Sequence, residues 1–253
     1  MDLPGHMPRL ISAVCTANPA TVLVMQSGTP VTLTPFLASL PALIQAWYGG
    51  NETGNAIASV LFGETNPSAK LPLSWPVRLE DNPAYLNYRS ERGRTLYGED
   101  VYIGYRWYEA TKKDVAFAFG HGLSYTTFSF ANLNVEYAGG EEIVVEVGVR
   151  NSGSVAGAEV VQVYIAQKSP SIRRPVKELK GFKKVFLEPG ETRKVEVKLQ
   201  TKYAVSFWDE ARDTWIAEKG KYKVFVSDNS QLIEGRFLKA DFVVEKTSWW
   251  NGI

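Results

Sequence analysis

The sequence contains a single cysteine, Cys15, so no disulfide can form within the chain. With only two histidines alongside it, a structural zinc centre of thiolate and imidazole ligands is not expected. A lone cysteine on an apolar helical pattern reads as a small buried hydrophobe. Charge is missing from one long stretch: no Asp, Glu, Lys or Arg lies between Leu10 and Asn51. The first 76 residues carry only Asp2, Arg9, Glu52, Glu64 and Lys70. The net charge of +1 gives no reason to expect nucleic acid or an anionic membrane as partner. No apolar run approaches the roughly 20 residues of a membrane span. The opening MDLPGHMPRL has neither a basic n-region nor an apolar h-region, so no signal peptide is read there. The sequence assigns no localisation.

A segment so poor in charge reads as interior, yet a piece that short cannot bury itself so fully. Something else has to cover it: the rest of the chain, a partner, or further polypeptide. Leu10, Ile11, Val14 and Cys15 fall at helical spacing, and Asn18-Pro19 ends the pattern. TVLVMQSGTP and PALIQAWYGG are short apolar runs that suit strands buried on both faces. From Asn51 to Gly63 the pattern is helical, with Ala56, Ile57, Val60 and Leu61 on one face. Asn51 is the expected N-cap, Glu52 suits the positive end of the dipole, and Gly63 the C-cap. KLPLSWP reads as a further strand. This order predicts part of a parallel α/β sheet, with too few strands for a whole one.

Between Val77 and Gly122 charges, prolines and tyrosines dominate, as in a long ordered connection. Beyond Leu123 the period becomes two. Ile143, Val145, Val147 and Val149 share a face, as do Val161, Val163 and Ile165. So do Val195, Val197 and Leu199, and then Tyr222, Val224 and Val226. Turn signals NSGS, EPGE, EKGK and SDNS separate these runs. About seven strands predict an immunoglobulin-like or fibronectin-like β-sandwich, and the missing disulfide favours the fibronectin variety. The basic run KSPSIRRPVKELKGFKK reads as an exposed loop and edge strand.

The candidates for chemistry are few. YGGNETGN is a strand–glycine–helix turn, but it matches neither phosphate-binding fingerprint. Loops of this kind lie at the carboxyl edge of α/β sheets, where ligands bind. Glu91, Glu99 and Asp100 are carboxylates in the connecting segment. A retaining glycosidase needs two carboxylates about 5–5.5 Å apart, and spacing in one sequence cannot show that. His121, between two glycines, reads as a structural turn residue.

Five stretches together resemble one family. AWYGGNETGNAIASVLFGETNPSAKLPLSWP, LYGEDVYIGYRWYE, FAFGHGLSYTTFSF and VRNSGSVAGAEVVQVYI are similar to successive signatures of family 3 glycoside hydrolases of the fungal β-glucosidase type. ELKGFKKVFLEPGETRKVEV resembles that family's fibronectin type III-like domain. The resemblance implies a multidomain α+β chain: residues 1–77 the C-terminal part of an α/β sandwich, 78–122 an inter-domain linker, 123–246 a fibronectin type III-like β-sandwich, and 247–253 a tail. It implies an activity, removal of terminal β-D-glucosyl residues with retention in cellobiose and β-glucan breakdown, with no metal and no organic cofactor. It also implies that the nucleophile and the acid/base lie upstream, so no catalytic residue is carried onto this chain. The missing barrel and upstream α/β region would then be the packing partner of the charge-poor segment. Tyr48, Glu52, Glu99 and Tyr102 are the candidates for supporting a neighbouring substrate site. Two other readings stand beside this one. One is a separately expressed non-catalytic binding module. The other is an enzyme using its own Glu99 and Asp100.

Overall fold

A computed structural model describes residues 1–252, which divide into two compact units. The first comprises Met1–Thr65 and Leu73–Ala118; the second comprises Asn66–Pro72 and the chain from Phe119 onward.

The first unit opens with helix α1, Met7–Ala17. Pro8 occupies its first turn, where a missing N–H costs nothing, and Asn18 caps its end in an extended conformation. Cys15 is buried beneath it, whereas Leu10 and Val14 face outward. Strands β1 (Val22–Met25) and β2 (Ala42–Gln45) pair in parallel, Val22 opposite Ala42 and Met25 opposite Gln45. No third strand joins them among the described residues. Only Met25 of the eight is buried, so the expected burial on both faces is not found. A two-stranded parallel sheet has too few neighbours to cover both of its faces.

Helix α2 runs Thr53–Leu61. It begins one residue later than an Asn51 cap would place it. Glu52 is the N-cap residue, and no side chain caps the helix. Gly63 follows the end in the left-handed region, its N–H donated to the Val60 carbonyl at 3.1 Å. The strand expected over KLPLSWP shrinks to β3, Trp75–Pro76. Pro72 and Pro76 have no amide to donate, and Leu71 instead exchanges hydrogen bonds with Gly120 and His121 in the second unit. Helix α3 (Tyr105–Thr111) leads to β4 (Val115–Phe117), which pairs antiparallel with β3. The small core here centres on Trp75, Leu33 and Phe36. The Trp75 indole N–H donates to the Val31 carbonyl at 2.8 Å.

The second unit is a β-sandwich. Strands β5 (Phe128–Glu136), β6 (Glu142–Asn151), β7 (Gly157–Gln167), β8 (Glu178–Leu187) and β9 (Thr192–Gln200) come first. Helix α4 (Thr201–Val205) and strands β10 (Phe207–Asp209), β11 (Thr214–Ala217), β12 (Gly220–Ser227), β13 (Leu238–Val244) and β14 (Ser248–Trp250) follow. One sheet has the order β5-β6-β9, the other β13-β12-β7-β8, and a small third sheet runs β10-β11-β14. The four alternating rows read from the sequence form the core. Pairing keeps them in register: Val145 opposite Val197, Val147 opposite Val195, Val224 opposite Ile165. Edge strand β8 carries the exposed Lys183 and Lys184, but the basic run before it is not wholly solvated. Lys177 is buried with its ammonium 5.4 Å from the Tyr164 ring centre. Arg174 donates to the carbonyls of Val205 and Ser206 and to Glu178.

Asn151, fully buried where β6 ends, uses both ends of its amide. Its Nδ2 donates to the carbonyls of Val155 (2.8 Å) and Leu187 (3.1 Å). Its Oδ1 accepts from the Thr126 hydroxyl (2.7 Å) and the Gly153 amide (3.1 Å). Leu187→Ala is expected to destabilise the sandwich by about 2–5 kcal/mol through the cavity it leaves. Lys198→Ala, on the exposed side of β9, should cost less than about 0.5 kcal/mol. Urea unfolding midpoints of the two variants check this.

Candidate functional site

Because β1 and β2 are parallel, their C-terminal ends lie side by side, and both outgoing loops start from one edge. The Ala46 amide donates to the Met25 carbonyl at 2.8 Å, holding the loops together. Gln45 Nε2 reaches the Ser27 carbonyl (3.3 Å) and hydroxyl (3.2 Å), while its Oε1 is shielded from solvent without a donor. Tyr48 is largely exposed, but its ring lies flush on Gly28. A Cβ at Gly28 would come within 2.8 Å of Tyr48 Cε2, so a larger residue there would push this exposed ring aside. Trp47 sits in the left-handed region and packs 6.3 Å from Trp75, anchoring the loop to the unit's core. The Thr53 hydroxyl donates to the Gly50 carbonyl at 2.7 Å, closing the turn at the head of α2. Glu52 is exposed beside it and accepts a 2.5 Å hydrogen bond from Asn55 Nδ2. A carboxylate there is favoured by the unpaired amides of the first turn.

The other two candidates lie on a second loop. The Tyr102 amide donates to the Glu99 carbonyl at 3.0 Å, and Asp100 between them has a left-handed backbone. Both side chains are half-buried, and Glu99 Oε2 is screened from solvent without a donor in reach. A screened carboxylate oxygen with no donor is costly and calls for a partner. Asp100 is exposed, and Glu91 opens a tight hairpin in which it exchanges backbone hydrogen bonds with Arg94. The four candidates thus lie on two loops, Tyr48 and Glu52 on one, Glu99 and Tyr102 on the other.

Sequence reasoning passed over Asp81. Its buried carboxylate accepts from Arg78 Nε at 3.0 Å and Lys113 Nζ at 2.7 Å. Its carbonyl takes the Trp107 indole N–H at 3.0 Å. The hydrogen bond from Arg78, then that from Lys113, holds the carboxyl below the usual range. Burial pushes the nearby Tyr108 phenol up to about 12. The i,i+3 spacing of Arg78 and Asp81 was the one local signal; Lys113 lies too far along the chain to be foreseen.

In the second unit, His121 does sit in a structural turn. Its carbonyl accepts the Leu71 amide at 2.8 Å, and burial, then the charge of Lys70, lowers its imidazole pKa. Gly120 beside it has φ +80, and a Cβ there would collide with the amide of Gln162. Lys70 makes a 2.8 Å ion pair with Glu159, the two side chains only 12% and 8% exposed. Lys70 also donates to the Gly122 carbonyl at 3.0 Å. Burial raises the Glu159 carboxyl despite that lysine.

The chain thus consists of an α/β piece with loops at one sheet edge and, after it in sequence, a seven-stranded sandwich. Comparison with known proteins shows which families share these parts. Residues 1–125 match the glycosyl hydrolase family 3 C-terminal domain, and residues 159–230 match the fibronectin type III-like domain. The chain is 55% identical over 260 residues to "Probable beta-glucosidase I" of Aspergillus fumigatus, covering all of this chain and 30% of that protein. The Kluyveromyces marxianus β-glucosidase in complex with glucose superposes with a TM-score of 0.95 at 49% identity, over 100% of this chain and 30% of that one. The Bifidobacterium adolescentis family 3 β-glucosidase gives 0.91 at 35% identity, over 96% of this chain and 36% of that one. The chain belongs to glycosyl hydrolase family 3, as its C-terminal part, and spans about 30% of the length of the curated relatives it matches.

Asp81→Asn is expected to lower stability by about 1–3 kcal/mol, since the two cationic donors lose the charge they pair with and one of the two acceptor oxygens. A lowered carboxyl contributes stability above its unfolded pKa, near about 4, and loses it as pH falls through the folded value. The gap between parent and variant should therefore be full at pH 6 and close below about pH 4. Thermal unfolding across pH measures it.

Proposed function

We propose that this chain supplies the last part of the α/β sandwich and the fibronectin type III-like domain of a β-glucosidase. The assembled enzyme removes terminal non-reducing β-D-glucosyl residues with retention, through a covalent glycosyl-enzyme intermediate. On this reading residues 1–77 end the α/β sandwich, 78–122 link, 123–246 form the fibronectin-like domain, and 247–253 are a tail. The nucleophile and acid/base belong to the remainder of the enzyme. The observation that carries the reading is the bare parallel pair β1–β2. Its open edges call for further strands, and the outward Met7, Leu10 and Val14 of α1 call for a covering layer. The remainder of a family 3 enzyme, with its barrel and upstream strands, supplies both.

Tyr48 and Glu52 stand at the carboxyl edge of that sheet, where the substrate site of the assembled enzyme is placed. Glu99, whose screened oxygen lacks a donor, and Tyr102 buttress the same site. The β-glucoside is the substrate of the assembled enzyme.

Two outcomes follow. The purified chain should release no phenol from an aryl β-glucoside and should bind a hydrophobic dye; steady hydrolysis with retention would refute the reading. Co-expression with the remaining N-terminal part of the Aspergillus fumigatus relative should restore hydrolysis and abolish dye binding.

A further inference from the structure

The small sheet β10-β11-β14 carries a row of rings that the sandwich core does not use. Pairing sets Trp208 opposite Trp215, and Trp215 opposite Trp250, so the three side chains fall on one face. Trp208 and Trp215 meet at 72° with centroids 5.5 Å apart. Trp215 and Trp250 stack at 12° and 5.4 Å. Tyr203 stands edge-on to Trp250 at 5.3 Å, and Lys202 Nζ lies 4.7 Å from the Tyr203 ring and 5.3 Å from that of Trp250. The Trp250 indole N–H is tied to the Ser206 hydroxyl at 3.0 Å. The row is therefore rigid before anything binds, and a ligand would not bear the cost of ordering it.

Trp208 lies on an outer strand of this sheet and keeps 40% of its surface exposed. The turn that follows it is polar. Asp209 accepts from Arg212 NH1 at 2.7 Å and from the Ala211 amide at 3.1 Å. The Arg212 side chain is mostly exposed, and its guanidinium has more N–H donors than the one Asp209 takes. A fixed aromatic surface beside a paired carboxylate and guanidinium fits a pyranose. The sugar's C–H face lies on the ring, and its hydroxyls bond the charged pair. The row has no aliphatic member of the kind a protein interface core would add. Trp215 and Trp250 turn their faces to each other, so the platform offered to a sugar is Trp208.

We propose that this face binds a β-linked glucosyl chain, with Trp208 as the stacking platform and Asp209 and Arg212 as the hydroxyl partners. The proposal rests on the reading that the chain belongs to a β-glucosidase, and it gives the fibronectin-like domain a glucan-holding role of its own.

The test is titration of the intact chain with cellohexaose and laminarihexaose, followed by tryptophan fluorescence and calorimetry. Saturable binding is expected, weakened at least tenfold by Trp208→Ala and also by Arg212→Ala. Phe182→Ala, at an exposed aromatic on β8, should leave it unchanged. Thermal unfolding of each variant shows whether the fold is kept, and Arg212→Ala serves should Trp208→Ala not fold. No binding at millimolar sugar, or affinity indifferent to both variants, overturns the proposal. So does equal affinity for maltohexaose, or self-association of the chain that Trp208→Ala abolishes. Binding requires no hydrolysis, so the two readings separate. Glucan binding with failed complementation removes only the proposed function, and complementation without glucan binding removes only this proposal.

Discussion

A strand edge is a row of backbone donors and acceptors that must find partners, and the pair β1–β2 has two such edges with no further strand on either among the described residues. Much else in the first unit follows. The strands are only half-buried, α1 turns apolar side chains outward, and charge is absent from Leu10 to Asn51. The sandwich solves the opposite problem within itself. Its two main sheets turn their apolar rows toward each other, and one continuous core results.

What could be read in advance tracks how local the cause is. A period of two written as Ile143, Val145, Val147, Val149 leaves little choice of face, and all four are buried. The strand–glycine–helix turn was equally plain, because glycines and an amphipathic helix are local signals. The start of α2 was not: Asn51 has the better capping side chain, but the turn is closed by Thr53 bonding to Gly50. Asn151 and Asp81 were invisible for another reason. Their partners Leu187 and Lys113 are 36 and 32 positions away, and only the fold brings them in. The aromatic row likewise exists only through register, since Trp208, Trp215 and Trp250 are unremarkable when read singly.

The two buried carboxylates show how differently one functional group can be treated. Asp81 has two cationic donors, and pairing prevails, so its ionised form is favoured. Glu159 has one, and the loss of hydration prevails, so its ionised form is disfavoured although Lys70 is in contact. An ion pair on a contact map therefore does not state which way the proton equilibrium moves. The number of donors weighed against the water removed decides it.

The course of the chain has a consequence for its synthesis. Segment Asn66–Pro72 belongs to the second unit, yet it leaves the ribosome before the second half of the first. Lys70 ends in contact with Glu159. At about 5–20 residues per second, the lysine waits roughly 5–20 s before that glutamate is even polymerised. Through that interval the segment has no sandwich to join, and for about its first half the first unit cannot close either, because β4 is still to come. The chain of the first unit is complete at Ala118, whereas segment Asn66–Pro72 waits for the sandwich and stays open to chaperones and proteases until then.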